Sequence, residues 1–161
     1  MTGVLTSVVA AFLMYTIFSR ISIYFIYLLN VFSLVVIHYA IKKGESQGAI
    51  IGALCGLIQD SFSLGIFGVA GISKTIMGFA AGYISRRIDI IEVKKKFIFI
   101  FLLMCTELII WSSLYLFLLS ERVNTAGGIL LFQPFITALV GSLFFSLLPK
   151  LKKRFVHHEN A

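Results

Sequence analysis

Charge is scarce along this chain and gathered into a few short stretches, with long apolar runs between them. The run Phe97–Leu119 carries one charged residue, Glu107, and Ile23–Ile41 carries none. A helix crosses the hydrocarbon of a bilayer with ~20 mostly apolar residues, whereas a barrel strand needs about ten in strict alternation. These runs are too long and too rich in Leu, Ile and Phe for barrel strands. Charged residues make up 13% of the 161 residues and hydrophobic ones 59%, with a mean hydropathy of +0.99. Soluble domains carry roughly 25% charge, enough to cover a water-facing surface. The composition therefore predicts an integral membrane protein and excludes a soluble enzyme, a disordered chain and a nucleic-acid-binding domain.

The pattern divides into one transmembrane domain over 1–161, an all-α bundle of six helices. The expected spans are 4–18, 23–41, 48–58, 69–85, 97–119 and 129–148. The third is short and runs into Gln59-Asp60-Ser61, which reads as a tight or partly re-entrant corner. Pro149 reads as the stop of the sixth. Basic residues orient the bundle, because cytoplasmic loops collect Lys and Arg. Eleven of fourteen fall on alternate loops and the C-terminal tail: Lys42, Lys43, Arg86, Arg87, Lys94, Lys95, Lys96, Lys150, Lys152, Lys153 and Arg154. Arg20 and Arg122 lie opposite, and Lys74 lies within a span. Both termini are thus expected in the cytoplasm of a multi-pass protein. The basic clusters suit anionic lipid, or a cytoplasmic partner.

No catalytic set is recognisable. G-x-S-x-G, P-loop, H-E-x-x-H and paired-carboxylate arrangements do not occur. Cys55 and Cys105 lie in separate spans without ligand spacing and read as apolar fillers; neither metal nor cofactor is implied. His38 reads as an interfacial histidine. Glycines are more informative. Gly48, Gly52 and Gly56 repeat every four residues along one helix face, and Gly71, Gly78 and Gly82 share a face with Lys74. Small residues at this spacing let helix backbones approach closely in lipid, either within the bundle or against a partner helix. Charges inside the bilayer cost about 2.5–3.5 kcal/mol on insertion scales and mark pairs or sites. Asp60 and Lys74 are expected to pair across the corner between the glycine-rich helices. Glu107, in mid-span, is expected to meet Lys74 or a polar group such as Asn30 or Gln133, or to be protonated.

The run Lys43-Gly44, Gly48-Ala-Ile-Ile-Gly52-Ala-Leu-Cys-Gly56-Leu-Ile-Gln-Asp60, then Leu64-Gly65, Gly68, Gly71 and Met77-Gly78-Phe-Ala-Ala-Gly82-Tyr83 resembles the central signature of the rod shape-determining protein MreD family. Asn30 stands where that family commonly has a Pro-Asp or Pro-Asn pair, here with Leu29 in place of the proline; Glu107 stands where many members have an acidic residue. The resemblance implies a non-catalytic scaffold of the bacterial inner membrane in the elongation machinery, or elongasome. It implies binding to MreC and association with the glycosyltransferase RodA, the transpeptidase PBP2 and the cytoskeletal protein MreB, in peptidoglycan synthesis that maintains rod shape. It also implies a fold similar to the membrane-embedded substrate-binding subunit of energy-coupling-factor transporters. A vitamin-binding subunit of such a transporter is the alternative. Against it, Ala10 is followed four residues later by Met14, so the Ala-x-x-x-Ala docking pattern is missing; Asp60, Lys74, Asn30 and Ser73 could form a small polar cluster, but few aromatics with hydrogen-bonding capacity accompany it.

Overall fold

The computed structural model describes residues 2–21, 28–62, 66–88, 92–119 and 130–159, and their side chains except at 2, 5, 18, 19, 21, 119 and 147–159. It is all-helical over these residues. The helices are α1 (Thr2–Ile21), α2 (Val31–Lys43), α3 (Glu45–Phe62), α4 (Val69–Ser85), α5 (Val93–Leu119) and α6 (Gln133–Glu159). α3 and α4 share the most extensive contact; α2 packs across both, α5 against α4 and α6, and α1 against α2. Where these meet, Phe32, Val36, Ile37, Ile51, Cys55, Met77, Ile100 and Met104 form the core.

Local chemistry explains the boundaries. Asn30 caps α2, its side-chain oxygen accepting from Ser33 N at 3.3 Å. Gly44 ends α2 at φ +94°, where its N–H reaches Ala40 O at 2.8 Å and lets α3 begin one residue later. Four expectations about the element bounds are corrected. The second span is not a helix from Ile23 to Ile41, because Leu29 and Asn30 leave helical geometry; residues 22–27 lie outside the described residues. α3 runs through Asp60 to Phe62, so at about 27 Å it is longer than the corner foreseen there. Pro149 does not stop α6: it removes one backbone donor, and the helix continues to Glu159. Lys94–Lys96 also leave the expected loop for the first turns of α5.

Polar side chains lie within the apolar core, and large apolar side chains cover much of the exterior. Asn30, Ser33, Asp60, Ser73, Lys74, Glu107, Thr137 and Ser142 are buried. Ile50, Leu54, Ile72, Phe79, Leu102, Ile109, Leu139 and Phe144 are exposed. Among the described residues one helical stretch, Val93–Leu118, is long and apolar enough to cross a membrane. Thr6–Ile17 and Leu130–Ser146 are shorter apolar helices.

Candidate functional site

The glycine rows bring α3 and α4 into backbone contact. A methyl group added at Gly48 would lie closer than 3.0 Å to Gly78 O, at Gly52 to Lys74 O, at Gly56 to Ala70 O, and at Gly82 to Glu45 N. Each position therefore admits only hydrogen. Gly71 is looser, because an added Cβ would meet the Leu57 side chain at 3.3 Å. This close approach fixes α4 in height and rotation, and with it Lys74.

Lys74 is 1% exposed and Glu107 5%, and the two form a buried ion pair between α4 and α5. The acceptor, Glu107 Oε1, also receives Ser33 Oγ at 2.9 Å and Asn30 Nδ2 at 3.3 Å. Asn30 and Ser33 are the cap and third residue of α2, so the carboxylate sits at the positive end of that helix. Glu107 Oε2 is buried without a hydrogen-bond partner among the described residues. One carboxylate thus gathers α2, α4 and α5.

The fourth helix joins through the break at Leu29–Asn30. Thr137 of α6 is fully buried; its hydroxyl accepts from Asn30 N at 3.2 Å and donates to Leu28 O at 3.3 Å. Buried non-helical backbone survives only where its polar groups are satisfied, and Thr137 does this for Asn30 N–H and Leu28 O. Thr137→Val keeps the shape and orphans both. The expected loss is about 1–3 kcal/mol for each buried group left unpaired, read as a lower melting temperature in detergent, with Thr137→Ser close to wild type.

The expected Asp60–Lys74 pair is corrected, since the ion pair joins Lys74 to Glu107. Asp60 instead accepts from Gly68 N at 2.9 Å, Gly71 N at 3.1 Å and Ala70 N at 3.3 Å. The end of α3 thereby caps the start of the next helix, α4, from eight to eleven residues upstream, and the acidic group meets the dipole it suits. Lys74 and Asn30 are thus brought together with Glu107, while Asp60 belongs to the corner. Gln133 is half-buried at the start of α6 and is not among the donors to Glu107. Ser33, Thr137 and Gly141 went unread in the sequence. Ser33 had a signal, three residues after a capping Asn. Gly141, where a Cβ would strike Leu34 Cδ2 at 2.5 Å, had the four-residue small-residue spacing from Thr137.

At the opposite end of the bundle, Arg86 pairs with Glu45 at 3.3 Å beside the Gly44 turn. Arg87, Lys94 and Lys95 are exposed, with Lys95 against Glu92 at 3.3 Å, and Lys96 is half-buried. The side chains of Lys150, Lys152, Lys153 and Arg154 lie outside the described residues. His38 is half-buried between the rings of Tyr39 and Phe145, with centroids 5.4 and 5.2 Å away.

No curated protein and no solved structure matches the chain. The family model for the rod shape-determining protein MreD matches residues 1–152, which takes in all the glycine contacts, the Asp60 cap and every member of the Glu107 cluster. The resemblance first carried by the glycine-rich run therefore extends over nearly the whole length, and the chain belongs to the rod shape-determining protein MreD family.

Proposed function

We propose that this chain is a multi-pass, non-catalytic scaffold of the bacterial inner membrane with both ends in the cytoplasm. It binds MreC and links the synthases RodA and PBP2 to the MreB cytoskeleton. Family membership gives the coarser statement, a membrane-associated structural component in rod shape determination. One observation carries the finer reading. Most of the buried charged and amide groups engage one another or the backbone: Lys74, Asn30 and Ser33 converge on Glu107 Oε1, while Asp60 holds backbone. They fix helix positions and leave an outer surface of aliphatic and aromatic side chains on which a partner's single transmembrane helix can lie. Cross-helix polar contacts in membranes average about 0.6 kcal/mol, so close packing over many residues supplies most of the affinity. The end bearing Lys42, Lys43, Arg86, Arg87 and Lys94–Lys96 faces the cytoplasm under the positive-inside rule and meets the filament or anionic lipid. A fold kinship with the substrate-binding subunit of energy-coupling-factor transporters fits a bundle of six helices.

Affinity purification from native membranes in mild detergent, followed by mass spectrometry, tests this reading. The expected result is recovery of MreC together with RodA or PBP2. Recovery of an ATPase pair and a tightly held vitamin would replace the scaffold with a transporter subunit.

A further inference from the structure

The outward face of α4 carries an ordered stripe that neither the helix packing nor the Glu107 cluster uses. Ile72, Ile76, Phe79 and Tyr83 are between 44% and 51% exposed. They follow at spacings of four, three and four, so they share one face. Arg87 continues the row, its guanidinium 4.5 Å from the centroid of the Tyr83 ring, and the rings of Phe79 and Tyr83 stack with centroids 6.3 Å apart. From Ile72 to Tyr83 the helix rises about 16 Å, close to half of the ~30 Å hydrocarbon thickness. The sequence along the stripe is aliphatic, aromatic, then cationic. A phospholipid in one leaflet presents the complementary order of acyl chain, interface and phosphate.

The head of the stripe is also electrostatically open. Arg86 is held by Glu45, but the Arg87 guanidinium has no carboxylate partner among the described residues, and the Tyr83 hydroxyl makes no hydrogen bond among them. The ring fixes the cation while leaving its N–H groups free, and the hydroxyl adds a donor beside it. At the same end of the bundle Lys43 lies over Tyr39 at 5.6 Å, a second cation on a tyrosine at the end of a helix. Tyr39 differs in having its hydroxyl engaged by Gly3 O and Ser7 of α1. The open pair is therefore the one on α4.

We propose that this stripe binds one anionic phospholipid, with Arg87 and the Tyr83 hydroxyl on its phosphate and an acyl chain along Phe79, Ile76 and Ile72. The proposal rests on the membrane location and the orientation given above, not on capture of MreC. The test uses the full chain purified from vesicles of mixed phosphatidylglycerol and phosphatidylcholine, with retained lipid counted by native mass spectrometry. The wild type is expected to retain phosphatidylglycerol in preference. Arg87→Gln should lower its retention about fivefold, the gain typical of one basic residue near an anionic surface. Tyr83→Leu, which keeps the charge but removes the ring seat and the hydroxyl, should lower it as well, while Arg20→Gln at the opposite end should not. Equal retention of the two lipids, unchanged retention in both stripe variants, or an equal loss in Arg20→Gln would overturn the proposal. So would displacement of the lipid by millimolar inorganic phosphate, which would mark a phosphate site rather than a lipid one. Because no other protein is in the assay, failure here leaves the scaffold reading standing.

Discussion

Glu107→Leu alone should be among the most destabilising single substitutions in the chain, and adding Lys74→Met should restore most of the loss. The single change leaves a buried ammonium with no counter-charge. Breaking a buried pair from one side costs about 3–5 kcal/mol, because ions are expensive to keep out of water. For a chain of this length that is roughly 10 °C or more in melting temperature. Replacing both partners by apolar groups removes the two desolvation costs together and is often neutral. A residue of about 1–2 kcal/mol remains, since Asn30 and Ser33 lose the acceptor they share. Lys74→Met alone should fall between the two, because the remaining carboxylate stays on α2's positive end and keeps Asn30 and Ser33 as donors. Melting curves in one detergent for the three variants check this. A double variant no more stable than Glu107→Leu would sink the pairing.

The second large effect is expected at the α3–α4 contact. Gly52→Val should abolish accumulation of folded protein, Gly52→Ala should cut it severalfold, and Gly71→Ala should pass almost unnoticed. At Gly52 the added carbon meets the Lys74 carbonyl, which is part of a helix and moves only with it. Overpacking a tight core costs typically 1–3 kcal/mol, and here displacement of α4 also drags Lys74 from Glu107. At Gly71 the neighbour is a Leu57 methyl that can rotate away. Membrane-fraction yield measured by fluorescence size-exclusion separates the cases. Equal yields for Gly52→Ala and Gly71→Ala would mean the helices are not pinned at this point. Coupling between Gly52→Ala and Lys74→Met, measured as non-additive melting shifts, would confirm that one contact positions the other.

Much of this geometry was legible because it follows from periodicity. Glycines four apart share a face, so a close helix approach was readable before any coordinate, while the choice between a neighbour in the bundle and a partner helix was not. Glu107 was readable because a charge amid apolar residues must find a partner, and Lys74 and Asn30 were among the few candidates. The partner of Asp60 was misread for a reason of scale. Sign complementarity suggested Lys74, but Lys74 lies five residues into α4, whereas the unpaired N–H groups of that helix lie directly at its start. A carboxylate at the end of α3 reaches those donors first. The break at Leu29–Asn30 was hidden because its stabilising group, Thr137, is more than a hundred residues away and no local signal connects them. Pro149 was over-read, since one missing backbone donor weakens a helix without requiring its end.

The central claim is that the buried polar groups hold the bundle in one packing and that its partners are met by the outer surface. The most direct measurement replaces the native protein in growing cells by the Lys74→Met, Glu107→Leu double variant. Cell shape is then scored together with the amount of MreC captured per folded molecule. The account predicts rods and wild-type capture, because the apolar pair preserves the packing. A double variant that folds and inserts normally, yet yields round cells and no MreC, would contradict it and move the partner chemistry onto Glu107 and Lys74 themselves.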